Sequence, residues 1–309
     1  MYVQRNKEGR VVRALTVAGS DSGGGAGVQA DLKTFAAYSV YGTSVLTALT
    51  AQNTLGVQGV SYVDPVFVRQ QMTSVLSDIG AYAVKTGMLG RADIIEAVVE
   101  ELRRHRLQHV VVDPVMVAKG GTSLLDTQAV DVVRNSLLPE ATFITPNVPE
   151  EEVLWGQPIR SWADCQQAAV YLAGLTGGTV IIKGGHAQAR WGALMNFDVT
   201  AETSAVDLVY DGTRWAYFAA PRLPTQKTHG TGCTFSAALT AALALGHSSL
   251  VAIASARAFT HEAIREAMDW DVGQGHGPTD HSVRPRFVHA LEPGVLYRWA
   301  SGDWEVAER

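Results

Sequence analysis

The sequence AGSDSGGGAGVQADLKTF, residues 18–35, contains the most informative change of pattern in the chain. The apolar run before it, residues 12–18, is typical of a buried strand, and residues 27–38 have apolar side chains at helical spacing. The glycines between them allow a tight turn and leave backbone N–H groups free at a helix N-terminus, where an anion can bind. The stretch predicts a strand, a turn and a helix, with either a ligand site or a purely structural turn between them.

The same alternation of short branched runs and longer amphipathic segments continues along the chain, which is typical of βαβ units around a mostly parallel sheet. Strands are predicted at residues 12–18, 44–49, 83–85, 109–113, 142–144 and 179–183. Helices are predicted at residues 27–38, 65–79, 92–104, 127–136, 149–155, 161–175, 232–245 and 249–268. Strands at residues 207–210 and 215–218 flank Asp211-Gly212, a hairpin turn dipeptide, and predict a small antiparallel edge.

The chain offers no boundary between domains. No linker of distinct composition and no internal repeat interrupts its 309 residues. We therefore expect one α/β domain over residues 1–309, with its core at about residues 12–285 and a last helix or strand near the end.

Composition favours a globular protein with small-molecule partners. The chain is 47% hydrophobic and 18% charged, and its formal net charge is −5. Nucleic acids and anionic membranes attract clustered Lys and Arg, so neither is expected as a partner. The two cysteines, Cys165 and Cys233, form no disulfide framework, and residues 14–18 are too short for a signal segment. No apolar run reaches the length of a membrane span, so we expect a soluble protein, and the cysteine usage fits the reducing cytoplasm.

The first glycine motif also matches a dinucleotide-binding pattern. Gly25 to Ala30 fit GxGxxG/A, which raises the alternative of an oxidoreductase. That alternative requires an acidic residue about 20 positions further on, at the end of the next strand. Between Asp31 and Asp64 there is no Asp or Glu, so this interpretation is disfavoured.

A second glycine motif occurs in KTHGTGCTFSAALTAALALG, residues 227–246. Gly230, Thr231 and Gly232 precede a helix of small and apolar residues. Small residues let backbone N–H groups converge at the positive end of the helix dipole, which predicts an anion hole for a transferring phosphoryl group. Cys233 lies in the first turn, a location that lowers the pKa of a thiol and favours the thiolate. The alternative is a buried cysteine that packs as a small apolar residue.

Other polar residues follow predicted strands. The dipeptide Gly-Lys is absent, which excludes a Walker A loop. In ITPNVPEEE, Asn147 and Glu150 are spaced to hold a hydrated Mg²⁺ that bridges phosphates, and the alternative is that they cap a helix. In VIIKGGH, Lys183 can bring its ammonium group to a phosphate at the carboxyl edge of the sheet, and a surface lysine is the alternative.

Eight motifs occur in a characteristic order: AGSDSGGGAGVQADLKTF, TALTAQNT, KTGMLG, DPVMVAKGG, ITPNVPEEE, IIKGGH, HGTGCTFSAAL and GHGPTDH. Over about residues 12–285 the chain thereby resembles the hydroxymethylpyrimidine/phosphomethylpyrimidine kinases of the ribokinase-like group. The resemblance implies a three-layer αβα sandwich without a separate lid domain, commonly a homodimer. It implies that MgATP phosphorylates a hydroxymethylpyrimidine and then its monophosphate, in thiamin biosynthesis.

The resemblance also implies roles for individual residues. Gln52 would hydrogen-bond the aminopyrimidine, because an amide offers both a donor and an acceptor. The other residues implied at the substrate are Asp31, Met88, Val115 and Gly19. Those implied at the nucleotide and Mg²⁺ are Lys183, Gly230, Thr231, Gly232, Thr228, Asn147, Glu150 and, at Mg²⁺ or its waters, Asp113. Cys233 stands where most of the group has an aspartate as general base, and GHGPTDH would be a loop near the nucleotide.

Two other functions remain open at this point. Pyridoxal kinase is the nearer alternative, since pyridoxal and the aminopyrimidine both have a flat ring with a hydroxymethyl group. A non-catalytic pyrimidine-binding sensor would be favoured by loss of the anion hole or of the Mg²⁺ residues, and the sequence retains both.

Overall fold

The computed structural model describes residues 3–116, 127–186, 197, 199–200 and 202–308. Its strands are β1 (Arg13–Asp21), β2 (Tyr41–Asn53), β3 (Gly56–Tyr62), β4 (Ala83–Thr86), β5 (His109–Val112), β6 (Phe143–Ile144), β7 (Thr179–Ile182), β8 (Ser204–Tyr210), β9 (Trp215–Pro221), β10 (Leu296–Ala300) and β11 (Asp303–Glu308). Its α-helices are α1 (Gly27–Ala37), α2 (Pro65–Ser74), α3 (Ala92–His105), α4 (Thr127–Val132), α5 (Val148–Trp155), α6 (Trp162–Thr176), α7 (Thr231–Ala244) and α8 (Ser249–Glu266).

The strands form one sheet in the order β11-β10-β9-β8-β7-β6-β5-β4-β1-β2-β3. Its centre, from β2 to β7, is parallel, so the carboxyl ends of these strands meet at one edge. One face packs against a core that includes residues of α2 to α6, and the other against residues of α1, α7 and α8. The predicted three-layer αβα sandwich is confirmed. None of the strands in the described ranges forms a separate lid sheet.

The edge formed by β3 was not predicted. β2 extends four residues beyond the predicted strand and pairs antiparallel with β3 through a short turn at residues 54–55. Most side chains of β3 are exposed, so the strand has no alternating apolar pattern by which sequence could identify it. The turn brings the end of β2 close to the carboxyl edge of the parallel strands.

The predicted antiparallel hairpin is confirmed as β8 and β9, but two further strands separate it from the edge of the sheet. The predicted C-terminal limit of the core, about residue 285, is wrong. β10 adds parallel to β9 and β11 adds antiparallel to β10. Trp299 and Trp304 are buried, and Trp304 Nε1 donates to the carbonyl oxygen of Ala254 at 2.9 Å. These tryptophans therefore anchor the tail to α8 and do not lie on the surface.

Two of the predicted helices end in π-helical turns. π-helical turns at Val75–Ile79 and Val133–Leu137 continue α2 and α4 to about the predicted ends of those helices. In the part of the chain that the structure describes, no helix is long and apolar enough to cross a bilayer. The prediction of one domain over residues 1–309 stays a prediction.

Candidate active site

The two glycine motifs interlock at the carboxyl edge of the sheet. A Cβ atom at Gly25 would lie 2.6 Å from Cδ2 of His229, and one at Gly230 would overlap the carbonyl oxygen of Gly25. Gly230 also has a φ of +80°, which side-chain-bearing residues rarely adopt. The loop after β1 and the start of α7 are therefore held in direct contact, and glycine is required on both sides.

Asp21 and His229 connect the same two motifs by polar bonds. The Asp21 carboxylate accepts from the N–H groups of Gly23 at 2.8 Å and Ala26 at 2.8 Å, and from Nε2 of His229 at 2.8 Å. Burial opposes ionisation of Asp21, but His229 and the backbone donors hold the pKa of this carboxyl below its ordinary value. The backbone N–H groups of the glycine loop thus bind the carboxylate of Asp21, an anion of the protein itself.

The N-terminus of α7 is open to an anion. Its N-cap, Gly230, makes no side-chain capping bond, and first-turn N–H groups such as those of Gly232 and Cys233 have no helical carbonyl to bond. A Cβ atom at Gly232 would lie 3.2 Å from Nζ of Lys183. Thr231 Oγ1 donates to the Thr228 carbonyl oxygen at 2.7 Å, which secures the preceding turn. The residues predicted for the anion hole therefore lie together, with an ammonium group beside them.

Lys183 is not a surface lysine. Its side chain is 15% exposed, and Nζ lies 2.8 Å from Oδ1 of the buried Asp113. Asp113 also accepts from Oγ1 of Thr145 at 3.1 Å and from Oγ of Ser236 at 3.1 Å. Burial raises the pKa of Asp113, but Lys183 and Lys85 outweigh it and hold the pKa below the ordinary value. The anion hole therefore rests on an ionised carboxylate that fixes the ammonium group.

Asn147 acts as a helix cap. Its Oδ1 accepts from the N–H of Glu150 at 3.0 Å, while Oε2 of Glu150 accepts from the N–H of Asn147 at 2.8 Å. This capping box starts α5, so the helix-cap alternative is confirmed, and a role of Asn147 at Mg²⁺ stays a prediction. Burial, reinforced by Asp113, raises the pKa of Glu150 to about 7, although Lys183 opposes the shift.

The donors near Lys183 suit a hydrated Mg²⁺. Among the side chains that the structure describes, no group of three or more His, Cys, Asp or Glu could hold a metal ion. Mg²⁺, however, usually keeps several waters and is bound by one or two carboxylates together with substrate phosphates. Asp113 and Glu150 are buried carboxyl groups close enough to repel one another, which a cation would relieve. They fit an ion of this kind.

Cys233 does not have the lowered pKa that its position in the first helical turn predicts. Burial, together with Asp31 and Asp113, raises the pKa of this thiol to about 11, although Lys85 and the N–H of Gly27 oppose the shift. Burial and the neighbouring carboxylates therefore favour the protonated thiol over the thiolate that the helix position predicts.

Lys85, like Asp21 and His229, is a residue of this site that sequence analysis missed. It is completely buried in β4, and Nζ lies 2.6 Å from Oδ1 of Asp31. The other oxygen of Asp31 accepts from Oγ1 of Thr16 at 2.6 Å. Burial favours the neutral amine, but Asp31 holds the pKa of Lys85 above its ordinary value. The feature that could have identified Lys85 is its position inside a short strand. All four residues of that strand are buried, and a buried charge requires a partner.

Asp31 does not face a substrate in this structure. It has no exposed surface, and both of its carboxylate oxygens have partners. A direct contact with the pyrimidine would have to break the bond to Lys85 or the bond to Thr16. Asp31 is therefore buried next to Cys233, and its expected position at the substrate stays a prediction.

Three other predicted substrate residues form an apolar wall. Met88 and Ala48 form a small buried cluster against which Val57 and Val115 pack. A Cβ atom at Gly19 would lie 3.2 Å from Sδ of Met88, so the glycine keeps this space open. The cluster lies between β1, β2 and the segment after β4.

Gln52 lies four residues after Ala48 on β2 and faces the second glycine motif. Its Oε1 accepts from Oγ1 of Thr50 at 3.1 Å, and its Nε2 lies 3.4 Å from Nε2 of His229. The strand that contributes Ala48 to the apolar wall therefore also brings an amide to the residue that precedes the anion hole. This arrangement can hold a flat, polar heterocycle with one substituent directed at α7.

Comparison with known proteins agrees with this geometry. The family model described as phosphomethylpyrimidine kinase matches residues 21–280. The hydroxymethylpyrimidine/phosphomethylpyrimidine kinase of Bacillus subtilis is 46% identical over 271 residues, which cover 88% of this chain and 95% of that protein.

Solved structures give the same result for the fold. The phosphomethylpyrimidine kinase of Clostridium difficile has a TM-score of 0.70 and 38% identity, over 82% of this chain and 99% of that one. The pyridoxal kinase of Staphylococcus aureus in complex with AMP-PCP and pyridoxal has a TM-score of 0.75 and 36% identity, over 87% and 93%. These matches exclude the dinucleotide-dependent oxidoreductase. The chain belongs to the phosphomethylpyrimidine kinase family and has the ribokinase-like fold of these enzymes.

Proposed function

We propose that this kinase transfers the γ-phosphoryl group of ATP to the hydroxymethyl group of 4-amino-5-hydroxymethyl-2-methylpyrimidine, and then phosphorylates the monophosphate to the pyrophosphate, in thiamin biosynthesis. The observation that supports this most directly is the place of Gln52, which lies beside His229 before the anion hole, on the same strand as Ala48 of the apolar wall. The amide can pair with a ring nitrogen and the exocyclic amine together. The name of the Bacillus subtilis relative supports the same substrates.

Charge stabilisation supplies most of the catalysis in this proposal. A transferring phosphoryl group spreads negative charge over its oxygens, and the protein contributes alignment and electrostatic stabilisation. The N–H groups of Gly232 and Cys233 and the ammonium group of Lys183 converge where that charge would develop. Asp113 holds Lys183 in place. Its one negative charge faces both Lys183 and Lys85, so it does not neutralise the positive charge of the whole site.

Cys233 contacts the reacting hydroxyl group in this account and orients it. With a pKa of about 11 the thiol is protonated at neutral pH, so it does not remove the proton before phosphoryl transfer begins. A loose transition state needs little help from a base, which makes such an arrangement workable.

ATP and Mg²⁺ are proposed as the phosphoryl donor and its metal. The bound AMP-PCP of the Staphylococcus aureus neighbour supports an adenine nucleotide. Asp113 and Glu150 would hold the hydrated ion, and Asn147 supports Glu150 through the capping box. The ion would neutralise phosphate charge, as in other phosphoryl transfers.

Pyridoxal kinase is the second candidate, because a pyridoxal-bound structure is among the similar ones. The test is to incubate the protein with MgATP and, separately, the hydroxymethylpyrimidine, its monophosphate or pyridoxal, and to measure ADP and phosphorylated products. Turnover of both pyrimidines with slow turnover of pyridoxal is expected. Turnover of pyridoxal alone would transfer the assignment to the second candidate, and no turnover would support the pyrimidine-binding sensor.

Two features of the whole molecule are also proposed. A homodimer is supported by exposed apolar side chains of the β2–β3 edge, Leu49, Leu55, Val60 and Tyr62. Light scattering should then give about twice the chain mass of 33.1 kDa. A cytoplasmic location is supported by two free cysteines, Cys165 and Cys233.

A further inference from the structure

Residues 273–278, here called the strap, contact the β2–β3 turn on the substrate side of the site. The N–H of Gly275 donates to Oγ1 of Thr54 at 3.2 Å, and the N–H of His276 donates to the carbonyl oxygen of Thr54 at 2.9 Å. Thr54 is two residues beyond Gln52 in the chain. A single residue of the turn therefore provides both acceptors.

The strap approaches Thr54 more closely than a side chain would permit. A Cβ atom at Gly275 would overlap the carbonyl oxygen of Thr54, and one at Gly273 would overlap its Oγ1. The bonds to Thr54 depend on this approach. Sequence analysis placed the motif GHGPTDH, which contains part of the strap, near the nucleotide, whereas these contacts join it to the substrate side.

The far end of the strap contacts the anion hole. The carbonyl oxygen of Gly277 accepts from the N–H of His229 at 3.1 Å, and Pro278 forms a parallel bridge with His229. His229 directly precedes Gly230, the N-cap of α7. Only one peptide unit separates the residue that bonds Thr54 from the residue that bonds His229, so a shift at one end is passed to the other.

The chain after the strap is fixed to the core. The N–H of Asp280 donates to the carbonyl oxygen of Ala263 in α8 at 2.9 Å, and Nε2 of His281 lies 2.9 Å from Oγ1 of Thr234 in α7. The strap therefore has an anchored end at the helices. The β2–β3 turn, in contrast, ends a hairpin at the edge of the sheet.

We propose that Thr54 is a positioning residue: through the strap it holds the Gln52 end of the substrate pocket in register with the anion hole. This inference rests on the proposed function. Reacting groups must be aligned closely, and a displacement of about 1 Å can cost about 10²-fold in rate. Thr54 touches neither ATP nor the reacting hydroxyl group in this account, so it acts through Gln52 and His229.

The first test compares Thr54→Val with Thr54→Ser. Valine keeps the size of the side chain but cannot accept from Gly275, whereas serine can. Loss of one such hydrogen bond predicts a fall of about three- to tenfold in kcat/KM for the hydroxymethylpyrimidine. The KM for MgATP should stay within about twofold of wild type, since the nucleotide side retains its contacts. Thr54→Ser should restore most of the lost efficiency.

The second test changes the other partner. Gly275→Ala places a methyl group against backbone of the turn, which a change of side-chain rotamer cannot relieve, so its effect should exceed that of Thr54→Val. Gly174→Ala is the matched control, because no atom lies within 4 Å of a Cβ at that position. Thr213→Val is the control for Thr54. Thr213 is exposed in the β8–β9 turn. Because β8 runs antiparallel to β7, this turn lies at the amino ends of the parallel strands, whereas the active site lies at their carboxyl ends.

Hydrogen exchange at the amides of Gly275 and His276 gives a readout that does not depend on activity. Faster exchange in Thr54→Val than in wild type, with the loss confined to the pyrimidine, supports the proposal. Wild-type kinetics in both Thr54→Val and Gly275→Ala would overturn it, as would equal losses for pyrimidine and MgATP. Failure of the wild-type protein to use the pyrimidine would instead refute the proposed function. If the wild-type protein then uses pyridoxal, the same variants test the strap with that substrate.

Discussion

The nucleotide side and the pyrimidine side of the site are built differently. Lys183 and Asp113 follow the ends of central parallel strands and are joined by a buried ion pair. Gln52 and Thr54 lie on the β2–β3 hairpin at the edge of the sheet, where β3 is mostly exposed. In the proposed function, the core therefore fixes the groups that stabilise charge, and the hairpin at the sheet edge holds the groups that select the substrate.

The largest expected effect is on the buried ion pair of Lys85 and Asp31. Lys85→Met leaves the Asp31 carboxylate buried without its ammonium partner, which should lower the free energy of unfolding by about 3–5 kcal/mol. Urea denaturation measures this loss. Asp31→Asn added to Lys85→Met removes the orphaned charge and should recover much of the stability. A double variant no more stable than Lys85→Met would contradict the account of this pair.

The next largest effect is expected on the nucleotide side of the site, at Lys183. Lys183→Met removes the ammonium group beside Gly232 and should reduce kcat by about 10²–10³-fold, in the range known for loss of one donor to a developing anion. Steady-state kinetics at saturating substrates measures it. Lys7→Met, at an exposed position, is the control and should behave as wild type. A tenfold loss or less would place the transferring phosphoryl group away from Lys183.

Cys233→Ala should have a smaller effect. We expect kcat to fall by about 10²-fold and to remain above background, because the thiol orients the hydroxyl group and the anion hole is retained. Single-turnover measurements separate this change from product release. A variant with the wild-type rate would remove Cys233 from the reaction.

The state of Cys233 can be measured directly. With its pKa raised to about 11, the thiolate fraction should increase about tenfold per pH unit from pH 7 until about pH 11. An ordinary thiol would level off near its usual pKa of about 8.5. The rate of alkylation by iodoacetamide reports this fraction, and Cys165→Ala leaves Cys233 as the one thiol in the chain. A plateau below pH 8 would show that the helix terminus prevails over burial.

The smallest effect concerns the pyrimidine side. Gln52→Leu removes the amide but keeps a similar volume, and it should raise the KM for the hydroxymethylpyrimidine about tenfold. The KM for MgATP should not change, because the nucleotide side is built on other strands. Gln58→Leu, at an exposed position of β3, is the matched control. A rise in both KM values would break the division between the two sides.

Sequence predicted what depends on local pattern. The parallel strands, the glycine turns, the start of α7 and the location of Lys183 at the sheet edge follow from periodicity and from residue types at strand ends. Gln52 and Met88 followed from the family resemblance. These features need little knowledge of which distant segments meet.

What sequence could not predict depends on long-range contacts. The pairing of Lys85 with Asp31 joins residues 54 positions apart, and the strap reaches Thr54 across 221 positions. The raising influences on the pKa of Cys233 could not be predicted, since the helix start is visible in the sequence but the buried carboxylates around the thiol are not. The predicted core ended at about residue 285. Trp299 and Trp304 are buried beyond that limit because β10 pairs with β9, a pairing that the sequence does not reveal.

The most direct test of the assignment is a competition in one tube. The purified protein is given MgATP with equal concentrations of the hydroxymethylpyrimidine and pyridoxal, and the phosphorylated products are followed by ³¹P NMR. We expect the pyrimidine monophosphate to appear first and the pyrophosphate to follow, with little pyridoxal phosphate. Predominant formation of pyridoxal phosphate, or of the pyrimidine monophosphate without any pyrophosphate, would contradict the proposed function.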